Sequence, residues 1–347
     1  GYMTNDGYMN TKVGAGKKAK EVISFSVRDL AMMGIIDIAD IEIGFDIEDD
    51  FYDTYLQTCP RQIRTSIAES YDYSIDSYQE AIVSDALATE YGYLVNHHAK
   101  EERYNQGGIH IVSETLITNS DGERSLLIET ENTSSEPVYI TIGDISINGL
   151  SLQNGIWVSD AVNVGKHCIT SINLTSIFER TRNMFGIEEI GEISFAFGQK
   201  DTKYNQLIDP EDISISISDD ASFNRAGTEL YQADGIRIVA KGLVADSASY
   251  SDDIHLMLLV ESEFDDSVSV DVDYNSVSVN GYMTDFLCFS NTVEPGYSMI
   301  LDVELQDSSL DTNGISRTED IAEIELTFKI RDSHYKTIAN PVVTISY

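Results

Sequence analysis

The chain alternates between short apolar runs and polar turn residues, and few stretches repeat every three or four positions. Clear examples are residues 235–239, 254–260, 299–305 and 324–330. Short runs rich in Val and Ile, separated by Gly, Asn, Asp and Ser, are typical of β-strands. About seven or eight such runs in residues 222–347 predict an antiparallel β-sandwich of immunoglobulin-like size.

One alternating apolar block occurs three times, each time shortly after a Gly-Ile pair. The three copies are Ile38, Ile41, Ile43 and Phe45; Ile190, Ile193, Phe195 and Phe197; Ile321, Ile324, Leu326 and Phe328. The sequence Gly-Tyr-Met-Thr also occurs at both 1–4 and 281–284, and the middle copy begins at Ile-Asn-Gly 147–149. A repeat of this kind predicts tandem modules. The expected fold class is therefore all-β, with tandem immunoglobulin-like antiparallel β-sandwiches.

The repeats divide the chain into four segments. They are residues 1–67, the C-terminal half of a first sandwich repeat; 68–106, a Tyr-rich linker; 107–221, a second repeat; and 222–347, a third. The first copy lacks the strands that 222–280 supply to the last, so its apolar face, with Ile41, Ile43 and Phe45, needs a cover. We expect residues 68–106 to fold back over these three side chains. A second chain or residues upstream are the alternatives.

Turn and helix signals interrupt the strands. Asn-Gly after Ile147 and after Val279 predicts tight turns with positive φ. Residues 26–30, leading to Gly34, and 175–185, leading to Gly186, predict short helices closed by glycine. In the linker, Ser77-x-x-Glu80 resembles a capping box and predicts one short helix.

The charge excludes several classes of partner. With 22 Lys and Arg against 59 Asp and Glu, the formal net charge is −37. Binding to nucleic acid or to anionic membrane surfaces relies on Lys and Arg, so neither is expected. Cations, cationic peptides and neutral ligands remain as partners, and self-repulsion favours a monomer. Cys59, Cys168 and Cys288 fall at different places in their repeats and predict isolated thiols.

Acidic loops offer the one weak metal candidate. Calcium prefers carboxylate oxygens, and five carboxylate side chains lie close together in sequence at Asp46, Glu48, Asp49, Asp50 and Asp53. The cluster lacks EF-hand spacing, and such clusters arise by chance in a chain this acidic. We expect no cofactor, with calcium as the only candidate.

Catalytic motifs are not found in the sequence. There is no GxSxG elbow, no HExxH helix and no phosphate-binding glycine loop. His97-His98, with Glu101 and Glu102, could bind a metal, but neighbouring residues on a strand point to opposite faces. A solvated linker is the favoured interpretation of this segment, and an enzyme is not expected.

Tyrosine is concentrated in one segment, and eight of the 19 lie between residues 52 and 104. Exposed tyrosines supply flat, amphipathic contact area for sugars or protein partners. The candidate ligand-binding residues are Tyr71, Tyr73, Tyr78, Tyr91 and Tyr93. The favoured alternative is that these side chains pack the linker against its neighbours.

The order of several motifs carries a family resemblance. Leu-Leu-Ile-Glu-Thr-Glu-Asn at 126–132, Ile-Asn-Gly at 147–149, Gly-Ile at 186–187 and the following Ile-x-Phe-x-Phe block resemble an immunoglobulin-like repeat. This repeat belongs to uncharacterised cell-surface or membrane-anchored proteins of Gram-positive gut bacteria. The resemblance implies an extracytoplasmic location, anchored through residues upstream of this chain. The expected function is a non-catalytic spacer or adhesion ectodomain. A carbohydrate- or peptide-binding module that uses the Tyr-rich linker is the alternative.

Overall fold

The computed structural model describes residues 1–4, 11–48, 54–57, 60–74, 76–151, 157–175, 184–219, 221–245, 253–288 and 292–347. Most elements in these residues are β-strands, and the last repeat is a sandwich, so the predicted all-β fold is confirmed. The chain divides into two compact units. The first contains residues 1–137 and 160–172, and the second contains residues 138–159 and 173–347.

A six-stranded sheet is the main layer of the first unit. Its order is β1-β13-β9-β8-β6, with β7 also paired to β8. The strands are β1 (Tyr2–Met3), β6 (Leu94–Ala99), β7 (Tyr104–Gln106), β8 (Ile109–Thr118), β9 (Arg124–Asn132) and β13 (His167–Asn173). β6, β7 and β9 each run antiparallel to β8, whereas β1 and β13 run parallel with Tyr2 opposite His167.

Three short helices belong to the same unit: α1 (Val27–Met32), α2 (Ser77–Val83) and α3 (Ala86–Tyr91). They bury a small apolar cluster against the sheet, made of Met32, Tyr78, Ala81, Ile82, Leu87, Ile117 and Leu127. The predicted linker helix therefore forms as α2. Its N-cap is Asp76, whose carboxylate accepts from the Gln79 N–H, and not Ser77. The helix α3 follows at once and was not predicted.

Glycine permits close packing between the first two helices. Gly34 follows α1 with φ +61, and a Cβ there would lie 2.8 Å from Tyr78 Cα and 2.8 Å from Ala81 Cβ. Real Cβ atoms essentially never come so close, so a side chain at this position would push α2 away. The glycine after α1 thus both ends the helix and admits its neighbour.

Two separate ribbons complete the first unit. β2 (Asp40–Ile43) pairs with β5 (Arg61–Arg64), and β3 (Asp46–Glu48) pairs with β4 (Thr54–Gln57). Ile41 and Ile43 are half-buried, and Phe45 is 45% exposed.

The prediction that residues 68–106 bury Ile41, Ile43 and Phe45 is therefore wrong. The linker helices cover Met32 of α1 and the face of the sheet that carries Ile117 and Leu127. The β2 strand instead finds its backbone partner locally, in β5. An apolar pattern shows that a face is buried in a complete module, but it does not show which element covers it.

Most of a ten-stranded sheet belongs to the second unit. Its order is β15-β14-β10-β11-β24-β18-β17-β16, with β12 paired to β10 and β22 paired to β24. The strands are β10 (Val138–Ile147), β11 (Leu150–Ser151), β12 (Val158–Val162), β14 (Glu192–Lys200), β15 (Gln206–Ser216), β16 (Thr228–Ala233), β17 (Ile236–Ala245), β18 (Ile254–Ser262), β22 (Phe286–Leu287) and β24 (Ser298–Leu305).

A seven-stranded sheet forms the other layer of the last repeat, in the order β21-β20-β25-β19-β23, with β26 and β27 paired to β25. The strands are β19 (Val268–Val272), β20 (Ser278–Val279), β21 (Tyr282–Met283), β23 (Thr292–Val293), β25 (Glu323–Asp332), β26 (Thr337–Ala339) and β27 (Val342–Ser346). α4 (Asp307–Thr312) and a 3₁₀ turn (Thr318–Asp320) follow β24. One core cluster joins both sheets, with Leu258, Leu301 and Phe328 fully buried in it.

The Asn-Gly turns form as predicted. Asn148 has φ +55 and Asn280 has φ +52, and each opens a turn between two strands. The Asn280 amide also holds the chain before β25, because its Oδ1 accepts from the N–H groups of Ala322 and Glu323. Asn148 makes the same contacts to Gly191 and Glu192.

The helix predicted before Gly34 forms as α1. Gly314 follows α4 with φ +76 in the same way, although no helix was predicted there. For the middle copy, Gly186 has φ +61, and residues 176–183 of the predicted helix lie outside the described residues.

A short parallel strand follows the turn glycine in two of the repeats. β1 pairs with β13, and the His167 N–H donates to Gly1 O at 3.2 Å. β11 pairs with β24 in the same way, and the Ser298 N–H donates to Gly149 O at 3.0 Å. We call β1 and β11 the connecting strands, because each places residues of one repeat on a strand of the next.

Candidate functional site

Three aromatic side chains and one lysine form an exposed cluster in the second unit. Trp157 is 59% exposed, and Lys200 Nζ lies 5.5 Å from its ring centroid. Tyr139 stacks on Tyr204 with ring centroids 4.8 Å apart and an interplanar angle of 28°. Because Tyr139 lies directly opposite Lys200 on the paired strands β10 and β14, the four side chains share one sheet face. We call this cluster the aromatic platform.

Two glycines lie close to side chains beside the platform. The position of a Cβ on Gly143 would lie 3.4 Å from Trp157 Cδ1, and one on Gly198 would lie 2.8 Å from Thr141 Oγ1. The indole therefore has room to lie over β10. A larger residue at either glycine would displace its neighbour.

A tight turn presents the outermost ring. Tyr204 has φ +63 in the connection between β14 and β15. Asp201 Oδ1 accepts from the N–H groups of Lys203 and Asn205 at 2.8 and 2.9 Å. Hydrogen bonds from the Asn205 side chain and from these backbone groups lower the pKa of Asp201, so the carboxylate that holds the turn stays ionised. Tyr204 thus lies in a turn that hydrogen bonds to Asp201 hold closed.

The platform can supply flat apolar faces with polar edges. Tryptophan is strongly buried on average, so an indole this exposed on a sheet face marks a candidate contact surface for a sugar ring or a peptide. Our sequence reasoning missed it. The sequence clue to the platform was the single Trp in a chain of 347 residues. The other side chains of the platform could not be recognised, because they lie far from Trp157 in sequence or on a different strand.

The five predicted tyrosines do not form one surface. Tyr78 is fully buried and its hydroxyl is 2.7 Å from Thr115 Oγ1, so assigning it to ligand binding is wrong. Tyr91 and Tyr93 pack against the cluster under the helices. Tyr71 and Tyr73 form an edge-to-face pair at 5.1 Å, and Tyr73 is 54% exposed. Only this last pair is placed to meet a ligand.

The calcium candidates are only partly visible. Asp46 and Glu48 lie at the two ends of β3. Asp49, Asp50 and Asp53 lie outside the described residues. Within the described ranges, no group of three or more His, Cys, Asp and Glu side chains is placed to hold a metal ion.

The two cysteine side chains that the structure describes are shielded. Burial raises the pKa of Cys168 and of Cys288 to about 12. Because the thiolate is the reactive form, neither side chain is an activated nucleophile.

His97 and His98 lie on a paired strand, and the expectation of a solvated linker there is wrong. β6 pairs with β8, and the two imidazoles point to opposite faces, as strand geometry requires. His98 Nδ1 is 3.0 Å from Thr115 Oγ1. His97 Nε2 is 4.0 Å from the buried carboxylate of Glu114, which Arg103 also holds at 2.8 Å. The pair is thus divided between two polar contacts and does not converge on one ligand.

A buried carboxylate accepts several hydrogen bonds on the face of the sheet beneath α2. Glu129 is 2% exposed, and it accepts from Ser113 Oγ at 2.6 Å and from Gln79 Nε2 at 2.7 Å. His167 Nδ1 lies 3.0 Å from the same carboxylate, and the Tyr2 hydroxyl, which donates to Asp76 Oδ1 at 2.5 Å, lies 3.3 Å from it. We call the side chains of Glu129, Ser113, Gln79, His167 and Tyr2 the Glu129 network.

Hydrogen bonds within this network determine the protonation states of Glu129 and His167. Burial raises the pKa of Glu129, but hydrogen bonds from His167, Ser113 and Gln79 outweigh it and leave the pKa below its usual value. The hydrogen bond to Glu129 raises the pKa of His167 despite burial. Glu129 is therefore an anion whose oxygens are occupied by donors. It ties β1 and α2 to the sheet.

Comparisons with known proteins add little. No family model matches the chain, and no curated protein matches its sequence. A β-D-mannosidase from Dictyoglomus thermophilum is similar at 12% identity and a TM-score of 0.20, covering 60% of this chain and 20% of the enzyme. An exo-chitosanase from Amycolatopsis orientalis is similar at 9% identity and a TM-score of 0.21, covering 67% of this chain and 26% of the enzyme. A protein of unknown function from Porphyromonas gingivalis W83 is similar at 9% identity and a TM-score of 0.19, covering 65% of this chain and 91% of that protein.

The chain spans about a fifth to a quarter of the two glycosidases. Similarity at this level carries no argument about activity. In the described residues, no helix is long and apolar enough to cross a bilayer.

Proposed function

We propose that this chain is a non-catalytic, extracytoplasmic array of β-modules from a Gram-positive surface protein, and that it acts as a spacer or adhesion ectodomain. The observation that carries the proposal is the pair of connecting strands. Tyr2 and Met3 pair with the second repeat, and Leu150 and Ser151 pair with the third. A spacer needs such continuity, because modules joined by backbone hydrogen bonds do not hinge freely at a flexible linker.

Single-molecule stretching of the full chain tests the spacer role. We expect discrete unfolding events that recover when the tension is released, because each module has its own strands to re-form. Leu150→Pro removes a backbone N–H from β11 and should weaken the event of the second unit. The matched control, Val342→Pro on β27, should leave β11 untouched. A chain that extends smoothly with no unfolding event would contradict the spacer role, and turnover in a hydrolase screen would contradict the non-catalytic role.

A second candidate function is the binding of a carbohydrate, and the exposure of Trp157 favours it. The site would be the aromatic platform and not the Tyr-rich linker that the sequence suggested. Because the chain has one tryptophan, its fluorescence reports directly on this surface. Titration with soluble bacterial and plant polysaccharides should quench or shift that emission.

Three variants separate the two sites. Tyr204→Ala removes half of the stacked tyrosine pair and should weaken platform binding at least tenfold while the Trp157 signal remains. Tyr73→Ala should have no effect if the platform is the site. Tyr274→Ala, at a residue 84% exposed in the second unit, controls for surface tyrosines in general. If Tyr73→Ala weakens binding and Tyr204→Ala does not, the binding site is in the Tyr-rich linker and not on the platform.

A further inference from the structure

The end of the aromatic platform nearest Gly143 carries carboxylates. Asp144 follows Gly143 at a bulge in β10 and has φ +49. On β15, the exposed Asp212 lies opposite Ala196 of β14, which in turn lies opposite Gly143. Because residues paired across strands share one sheet face, the Asp212 side chain lies on the same face as the platform. Trp157 approaches Gly143 on this sheet, so the carboxylates lie beside its indole.

A third carboxylate lies close to these two. Glu294 is in the connection between β23 and β24. Partial burial raises the pKa of Glu294, and the neighbouring charges of Asp144, Asp212 and Asp266 raise it further. Carboxylates that repel one another in this way are stabilised when a cation binds between them. We call Asp144, Asp212 and Glu294 the acidic end of the platform.

The acidic end suits a cation larger than a metal ion. Within the described ranges, no three His, Cys, Asp and Glu side chains are close enough to hold a metal. An ammonium group on a larger molecule needs no such close set of ligands, and the face of an indole attracts it as well. Lys200 already shows this attraction, because its Nζ lies 5.5 Å from the centroid of the Trp157 ring.

A buried hydroxyl beside the acidic end is without a partner. Ser146 lies opposite Ser194, and Ser194 lies opposite Ser214, in the row of side chains next to Ala196 on the same face. Ser146 is 2% exposed, and its Oγ has no hydrogen-bond partner among the described residues. Buried polar atoms are almost always hydrogen-bonded in folded proteins. A ligand with hydroxyl or amino groups would supply the missing partner.

The platform is long enough for more than one sugar ring. Tyr139 and Gly143 are four residues apart on β10, which is about 13 Å at roughly 3.4 Å per residue. The stacked pair of Tyr139 and Tyr204 lies at one end, and the carboxylates lie at the other. A chain of sugar rings can lie against the aromatic faces and present an amino group to the acidic end. A lysine side chain matches the charge but has no flat face to offer the rings.

We propose that the ligand of the aromatic platform is a polysaccharide with free amino groups, held through an ammonium group by Asp212 and Glu294. The proposal rests on carbohydrate binding at the platform and names the class of carbohydrate. An N-acetylated sugar has the same ring but no charge, so it gains nothing from the two carboxylates. Lys200 competes with the ligand for the face of Trp157 and is displaced when the ligand binds.

Paired oligomers test the preference for amino groups. Glucosamine oligomers and N-acetylglucosamine oligomers of equal length are titrated at about pH 6, where carboxylates are ionised and amino groups are protonated. The fluorescence of Trp157, the only tryptophan in the chain, reports binding. We expect the glucosamine oligomer to bind at least tenfold more tightly, with a difference that shrinks as salt is added. Equal affinities would overturn the proposal and leave carbohydrate binding intact. Binding of neither oligomer would overturn both.

Two double variants separate the acidic end from the net charge. Asp212→Asn with Glu294→Gln should weaken binding of the glucosamine oligomer at least tenfold and leave the N-acetylated oligomer unchanged. Glu323→Gln with Glu325→Gln removes the same charge from exposed positions on β25 and should have less than a twofold effect. Equal losses in the two double variants would overturn the proposal. Lys200→Gln should tighten binding of the glucosamine oligomer, because it removes the competing cation.

Two further measurements keep the result unambiguous. Asp212→Asn with Glu294→Gln relieves repulsion between like charges, so urea unfolding should show no loss of stability, and weaker binding then reports the site and not the fold. Trilysine tests the alternative source of ammonium groups. If trilysine binds as tightly as the glucosamine oligomer and loses affinity in the same double variant, the site takes a cationic peptide and the proposal is overturned.

Discussion

Removing the Glu129 carboxylate should loosen the first unit locally. In Glu129→Ala, Gln79 Nε2 and Ser113 Oγ lose their shared acceptor, and both residues are buried. A buried donor without a partner costs about 1–3 kcal/mol. Gln79 still donates to Ser113 at 3.0 Å, which offsets part of the loss. We expect a destabilisation of about 2–5 kcal/mol, a large share of the roughly 5–15 kcal/mol that holds a domain folded.

Hydrogen exchange measured by mass spectrometry is the suitable assay, because a chain of two units has no single melting temperature. Amides of α2, whose first turn lies over Glu129, should exchange at least tenfold faster in Glu129→Ala, since about 1.4 kcal/mol corresponds to a factor of ten. Amides of β18 in the second unit should not change. Glu129→Gln keeps the shape and one acceptor oxygen and should lie between the wild type and Glu129→Ala.

Glu131→Ala is the matched control. It lies two residues along the same strand and faces the same imidazole, with Oε1 3.9 Å from His167 Nε2. Its side chain is 37% exposed, so solvent screens the pair and its loss should cost less than about 1 kcal/mol. If Glu131→Ala loosens α2 as much as Glu129→Ala does, the network is not what holds the helix.

Three further outcomes are expected. The pKa of His167 is raised in the folded state, so protonated His167 stabilises the first unit fully below the unfolded-state pKa of about 6.5. This stabilisation is lost as the pH rises through the folded-state pKa of His167. In His167→Gln, exchange protection of the first unit should no longer fall over this pH range. Gly34→Ala should destabilise α2 by more than about 2 kcal/mol, because it adds a clash to a strained φ, whereas Gly314→Ala, with open space around it, should cost only about 1 kcal/mol by the same exchange assay. Phe328→Ala, in a fully buried position, should cost about 3–5 kcal/mol in urea unfolding, and Phe45→Ala, 45% exposed, should cost far less; equal losses would contradict the account of the first copy.

Local signals in the sequence predicted local structure well. Asn148-Gly149 and Asn280-Gly281 specify tight turns because few other residues tolerate positive φ at both positions. The spacing of Ile324, Leu326 and Phe328 predicts a strand with one buried face, and all three side chains are buried. These features depend only on residues a few positions apart, so the local sequence is sufficient to predict them.

Features that depend on distant partners were not predicted. Phe45 has the pattern of Phe328 but not its surroundings, since Phe45 is 45% exposed whereas Phe328 is fully buried in the core cluster of the last repeat. The aromatic platform was missed because Tyr139 and Lys200 become neighbours only through the β10–β14 register. His97 and His98 do not alternate with apolar residues, which hid the strand β6. The Glu129 network likewise joins residues that only the fold brings together.

The amide contacts of the two Asn-Gly turns also bear on chemical ageing. An asparagine followed by glycine is prone to deamidation, in which the next backbone nitrogen attacks the side-chain carbonyl carbon to form a succinimide. Here both ends of each amide are held. Asn280 Oδ1 accepts from two backbone N–H groups, and Asn280 Nδ2 donates to Asp320 O at 2.8 Å. Asn148 Nδ2 donates to Glu189 O at 2.9 Å.

An amide fixed in this way cannot rotate toward the nitrogen of the following glycine. The folded modules therefore protect two of the four Asn-Gly dipeptides in the chain, and opening of a module removes the protection. Isoaspartate would accumulate at residue 148 or 280 in proportion to the time that each turn has spent unfolded. The two turns thus act as a chemical record of how often their modules have opened over the lifetime of the protein.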